Sequence, residues 1–309
     1  MINPARISAV AIVGSAFCTI AATNAAAAKM RICQEQSQHY EEIKPSAGPL
    51  EINAALSTAA DKGCVKLAQR LLDDGASLGS RDRQGAMPLS HAAKAGQTEI
   101  LNLFIARGAI IDARNLDGST ALFLAAEQDN QPAVESLVAH GADVNLAGRS
   151  GLTPLEAAAY MGNENIAMLL LAKGADPKRT DATGKGPICY AAARGFAKVA
   201  GILLDHSVDV NARYGNDLTA LMWAAGHEDG AGTSDVADVL ELLIARGAHL
   251  DDRDNRGRTA LMIAASLGHE RAVDVLLAHG ASRTLRDKSG KTAADLASND
   301  ELKKRLAAS

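Results

Sequence analysis

The chain has 309 residues, of which 47% are apolar, 22% charged and only 3% aromatic, too apolar for a disordered chain and too polar for a transmembrane transporter. Its 32 basic and 36 acidic residues give a net charge of −4, without the basic excess that a general nucleic-acid binder needs to neutralise phosphates. Length alone suggests about two globular domains. A core this poor in Phe, Tyr and Trp must instead be built from Ala and Leu, and small side chains imply thin helices stacked closely as repeats.

The first element in chain order is an export segment. Arg6 is the only charge before Lys29, Ile7 to Ile20 is an apolar run, and a stretch of Ala, Thr and Asn fills 21–28. This pattern predicts a signal peptide over 1–28, cut between Ala25 and Ala28, and hence a periplasmic or secreted protein. The competing reading is an uncleaved membrane anchor, for which the segment is weakly apolar. Phe17 before Cys18 does not resemble a lipoprotein box. Removing the segment leaves 31 basic and 36 acidic residues, net −5, with Cys33, Cys64 and Cys189. Two of these can pair in an oxidising compartment. The preferred bridge is Cys33 with Cys64, which would tie an otherwise loose leader, 29–49, onto the first helical unit. Two unpaired thiols are the alternative. Cys189 reads as a small buried residue.

From residue 50 onward a unit repeats. Its end marker falls at Gly75, Gly108, Gly141, Gly174, Ser207, Gly247 and Gly280, at intervals of 33, 33, 33, 33, 40 and 33. Each unit has a turn with Asp or Asn and Gly, a Thr-Pro-Leu-like start, Ala-Ala, Gly, a Leu-rich run and Gly-Ala. Gly151-Leu152-Thr153-Pro154-Leu155 with Ala158-Ala159, and Gly257-Arg258-Thr259-Ala260-Leu261 with Ala264-Ala265, are clear copies. Thr153 is placed to cap a helix whose first turn carries Pro154. The Ala pairs let helices approach closely, and the Leu runs supply the apolar face of a second helix. Gly then ends that helix in the left-handed conformation. Asp112, Asp143, Asp209 and Asp251 introduce the loop to the next unit.

On these motifs the chain resembles the ankyrin-repeat family over roughly 50–306, and specifically its exported bacterial members. The resemblance implies an all-α solenoid of about eight helix-turn-helix units with hairpin-like fingers, covering 50–309. The first unit, near 50–80, lacks the turn and reads as an N-terminal cap. The last, 284–309, ends in the charged run Glu301-Leu302-Lys303-Lys304-Arg305, as a soluble capping repeat should.

No Gly-rich phosphate loop, zinc-spaced Cys and His set or Gly-x-Ser-x-Gly turn is present, so no enzyme activity, cofactor or metal is expected. His140, His206 and His279 fall beside helix C-termini, where a donor suits the free carbonyls. Arg81, Arg114, Arg213, Arg253 and Arg286 share a column at the finger base, with Arg149, Arg179, Arg256 and Lys288 nearby. Such a row could meet an acidic partner, although Asp82, Asp181, Asp254 and Asp287 follow closely.

The column before Ala-Ala, which the family turns toward its concave groove, reads His91, Leu124, Ala157, Tyr190, Trp223 and Ile263. Of the eight aromatics after residue 28, Tyr160, Tyr190, Tyr214 and Trp223 cluster around units five and six. Rigid aromatics with a polar handle are frequent binding hot spots, though they could equally pack on each other and on the fingers. A seven-residue insertion within 227–234 lengthens the loop beside them. Glu228, Asp229 and Asp235 there lack a full calcium-loop pattern.

The expected function is a monomeric, non-enzymatic periplasmic scaffold that docks another protein, with no nucleic-acid, small-molecule or stable membrane partner. Leu124, Tyr160, Tyr190, Arg213, Tyr214, Trp223, Arg253, Arg256 and Ile263 are the expected contact residues. The resemblance implies support of an envelope enzyme. An inhibitor or immunity protein for an envelope toxin and a membrane-anchored scaffold are the alternatives.

Overall fold

The computed structural model describes residues 26–226 and 236–307. Residues 1–25 of the expected signal segment, and the insertion with its candidate cation ligands, lie outside the described residues. Helix α1 covers 26–43 and takes in most of the leader, 29–49. Eight helix pairs follow: α2 (Pro49–Lys62) and α3 (Val65–Asp73), α4 (Pro88–Lys94) and α5 (Thr98–Ala106), α6 (Ala121–Glu127) and α7 (Gln131–Ala139), α8 (Pro154–Met161) and α9 (Glu164–Ala172). Then come α10 (Pro187–Ala193) and α11 (Ala197–Asp205), α12 (Ala220–Ala225) and α13 (Val236–Ala245), α14 (Ala260–Leu267) and α15 (Glu270–Ala278), α16 (Ala293–Leu296) and α17 (Asp300–Ala307). The first helices of successive pairs stack on one another to form an inner layer. The second helices stack outside them from α3 to α15. No strand occurs among the described residues.

The sequence pattern explains this stacking. The Ala pairs at 92–93, 125–126, 158–159, 191–192, 224–225 and 264–265 are all fully buried where inner helices meet. Leu137, Leu170, Leu203, Leu243 and Leu276 fill the space between inner and outer layers at 0% exposure. Thr120, Thr153, Thr219, Thr259 and Thr292 start inner helices, each hydroxyl accepting from a backbone N–H three residues on. At the ends of outer helices the chain turns at positive φ. Ser207, with φ of 66°, does this without the freedom of glycine.

At the N-terminus α1 packs on the first pair. Cys33 and Cys64 form a disulfide with Cα atoms 5.2 Å apart. Tyr40, only 1% exposed, donates its hydroxyl to Asp74 Oδ2 at 2.9 Å, and Lys44 Nζ reaches the same carboxylate at 2.7 Å.

The fingers, at 81–86, 114–119, 147–152, 180–185, 213–218, 253–258 and 286–291, line one edge of the inner layer. In five of them an Asp or Asn side chain folds the loop by accepting backbone N–H groups ahead of it: Asp82, Asn115, Asp181, Asp254 and Asp287. Gly148 and Tyr214 occupy that position in the other two. These two fingers close as short 3-10 turns through left-handed Ser150 and through left-handed Asn216 and Asp217. Neighbours are joined by single backbone bonds such as Gly215 N to Gly184 O at 2.9 Å and Lys288 N to Arg256 O at 2.9 Å.

The arginine column supplies further ties. Arg81 donates to Arg114 O at 2.6 Å, Arg114 to Ala147 O at 2.8 Å, Arg213 to Arg253 O at 2.7 Å and Arg253 to Arg286 O at 3.1 Å. Ala147 and Thr180 interrupt the column. Arg179 reaches backward instead, to Asn145 O at 2.9 Å.

Candidate functional site

The groove-facing column of the inner helices differs from unit to unit, because the Ala pairs behind it carry the stacking. On adjacent helices α10 and α12, Tyr190 and Trp223 are both half-buried. Lys185, at the end of the finger that leads into α10, sets its ammonium 5.4 Å from the Tyr190 ring centre and 5.0 Å from that of Trp223. Both distances suit attraction between a cation and an aromatic face.

Asp181, in the same finger, does not neutralise this lysine. Its Oδ1 accepts the Thr183 N–H at 2.7 Å, the Thr183 hydroxyl and the Lys185 N–H, while Oδ2 accepts the Tyr190 hydroxyl. Burial would raise the Asp181 carboxyl, but donation by Tyr190, Thr183 and the finger amides outweighs it and holds the group below the usual range. Burial, followed by donation to Asp181, pushes the Tyr190 phenol up. Among the described residues Lys185 pairs with no carboxylate.

On the other side of Tyr190, Tyr160 meets it edge to face, with centroids 6.1 Å apart and planes at 77°. The Arg194 guanidinium lies 4.5 Å from the Tyr160 ring centre and 5.8 Å from that of Phe196. Phe196, Arg194, Tyr160, Tyr190, Lys185 and Trp223 therefore form one continuous row of rings and cations. Tyr160 is 43% exposed, and the buried Trp223 indole Nε1 has no hydrogen-bond partner among the described residues.

The remaining expected contact residues are placed differently. Leu124 is half-buried in the groove wall, and Arg256 is exposed at a finger tip. Ile263 is 7% exposed and presents little surface. Tyr214 lies over Gly186, where an added Cβ would come within 2.9 Å of the Tyr214 ring. It packs finger on finger and stands apart from the row. Arg213 and Arg253 spend donors on the carbonyls of the next finger, which makes them struts. Of the three histidines beside helix ends, His140 and His206 engage carbonyls of their own helices, each at 2.8 Å, whereas His279 meets Glu241 at 2.7 Å.

Toward the N-terminus the groove deepens into a cleft of about 590 Å³ lined by Asp61, Asp82, His91, Asp117, Leu124 and Glu127 among others. His91 bridges Asp61 and Asp82, with ring nitrogens 3.0 Å from each carboxylate. The Asp61 hydrogen bond, aided by both carboxylate charges and opposed by burial, raises the imidazole above its ordinary value. Asp117 and Glu127 pair with no cation among the described residues.

Two groups beneath the groove belong to the core. Glu156 is fully buried on α8, at the position where other units carry Ser90, Phe123, Cys189, Met222 and Met262. Its Oε2 accepts the Thr153 hydroxyl at 2.9 Å as part of a capping box, while Oε1 has no partner among the described residues. Burial pushes its carboxyl up to about 7, against the lowering effect of Thr153. The Thr-x-x-Glu spacing makes the capping box readable from sequence, but not its burial. Burial likewise pushes the Cys189 thiol up to about 12, leaving it a protonated packing group. No group of three or more His, Cys, Asp or Glu is placed to hold a metal among the described residues.

Sequence reasoning singled out Tyr160, Tyr190 and Trp223 and named none of Phe196, Lys185 and Arg194. The only available signal for Lys185 was a charge in a column that elsewhere reads Ala86, Ser119, Leu152 and Leu218 before turning basic at Arg258 and Lys291.

A comparison with curated proteins finds no match. The family model for ankyrin repeats, in three copies, matches residues 56–148, 89–181, 155–240 and 229–307. These overlapping matches span the stacked helix pairs and every finger, and repeats of this kind serve as protein-interaction scaffolds. The chain belongs to the ankyrin-repeat family.

Proposed function

We propose that this protein is an exported, non-enzymatic scaffold of the bacterial periplasm, acting as a monomer that docks a partner protein across its groove. The row formed by Tyr160, Tyr190, Lys185 and Trp223 carries the reading. It gathers rigid aromatic surface and a cation without a carboxylate where stacking requires neither. The signal-like segment 1–28 supports export, and a Cys33–Cys64 bridge suits an oxidising compartment. The exported proteins that the chain resembles point to an envelope enzyme as the class of partner.

The test is a cross-linked pull-down from periplasmic extract with wild-type protein and the Tyr190→Ala/Trp223→Ala double variant. A protein captured specifically by the wild type should be lost with the variant while the circular dichroism spectrum stays helical. Equal capture by a folded variant would remove the aromatic row from the docking surface.

A further inference from the structure

The stretch of groove from α4 to α12 has two ends of opposite character. Lys185 is half-buried between two aromatic faces and has no carboxylate partner among the described residues, and burying a charge is costly until an opposite charge completes it. At the other end Asp117 and Glu127 face the cleft without cations. Asp61 and Asp82 share the single His91 ring, and Lys94 is the one lysine or arginine among the residues lining the cleft. An acidic side chain is thus drawn to the Lys185 end and repelled at the Glu127 end, while a basic one experiences the reverse. Such complementarity sets register and direction more than it sets raw affinity.

We propose that Lys185 receives a carboxylate side chain from the docked protein, on an extended segment that places a basic side chain over the Asp117 and Glu127 cleft. The proposal rests on the groove-docking reading above and adds the chemistry of the occupant. The Tyr190 and Trp223 rings would cover the methylene groups of the acid while Lys185 meets its oxygens. The spacing follows from the stacking. The cleft lies between α4 and α6 and the Lys185 clamp between α10 and α12, three inner-helix steps away. At roughly 9 Å per step the separation is about 27 Å. An extended chain covers that in about eight residues.

The test is selection from a displayed library of random peptides, about fourteen residues long to exceed the eight-residue span. The targets are the oxidised wild type, Lys185→Glu and Trp223→Ala. Wild-type protein should enrich peptides with Asp or Glu about eight residues from Lys or Arg. Lys185→Glu should replace that acid with a basic residue at the same spacing, and should weaken wild-type-selected peptides at least about tenfold. Lys185→Met should weaken them without selecting the new charge, and thermal unfolding checks that both variants are folded. Peptides that depend on Trp223 but show no charge pairing, or no switch with Lys185→Glu, would overturn this inference and leave groove docking standing. Selected peptides that bind Trp223→Ala as well as wild type would overturn both.

Discussion

Replacing Glu156 with Gln should change how stability depends on pH. The carboxyl titrates at about 7 in the folded chain and at its ordinary 4.5 when unfolded, so the unfolded state releases its proton first as pH rises. Its favourable contribution is complete below the unfolded value and is lost as pH climbs through 7. A separation of about 2.5 pH units corresponds to roughly 3 kcal/mol in full, of which roughly 2–3 kcal/mol falls between pH 5 and pH 8. The variant keeps an oxygen for the Thr153 N–H but places an amide nitrogen where Oε1 has no partner. That mismatch adds a pH-independent cost of about 1–3 kcal/mol, so the readout is the slope and not the absolute stability. Urea unfolding at several pH values from 5 to 8 should show wild-type stability falling more steeply than that of Glu156→Gln. His91 remains in both proteins, and its contribution, also lost at higher pH, cancels in the difference. Parallel curves would refute the argument, because they would mean that Glu156 ionises as freely in the folded chain as in water.

Three further outcomes follow from local geometry. Gly186→Thr supplies the helix cap that neighbouring units have, normally stabilising by about 1 kcal/mol, but its Cβ would meet Tyr214 at 2.9 Å. Thermal unfolding should show a loss of about 1–2 kcal/mol in the wild-type background and a gain once Tyr214 is replaced by Asn. The same sign in both backgrounds would disprove the coupling. Ser207→Gly should raise the thermal midpoint, worth about 0.5–1 kcal/mol, by relieving the left-handed strain at φ 66°. An unchanged or lower midpoint would contradict that. Reducing Cys33–Cys64, which closes 31 residues of sequence, should lower stability by about 3 kcal/mol. Hydrogen exchange should show the loss confined to α1 and α2, and loosening that reached α6 would refute a local role.

The repeat register was legible because each unit obeys the same local rules. Thr caps, buried Ala pairs and helix-ending Gly residues lie a constant distance apart and specify the stacking. Helix α1 was harder to read, since Cys33, Tyr40 and Ile43 are its few apolar anchors and the bridge to Cys64 depends on the fold. The groove was legible only in part. Tyr190 and Trp223 stand out in their column, but Lys185 precedes the helix in a finger, and no spacing rule says that it crosses to the rings of two units. The arginine column misleads for the same reason, because the carbonyl that Arg213 engages lies 40 residues away. Tyr214 reads as a surface aromatic until the missing side chain at Gly186 explains its position.

The broken row of arginine ties gives the solenoid uneven stiffness. Between the finger at 180–185 and the finger at 213–218 there is neither a forward arginine nor a backward one, only the Gly215–Gly184 bond and the Tyr214 ring. The Lys185 clamp straddles the two units at this joint. A segment docked across it would add a tie between them that the arginine row does not supply.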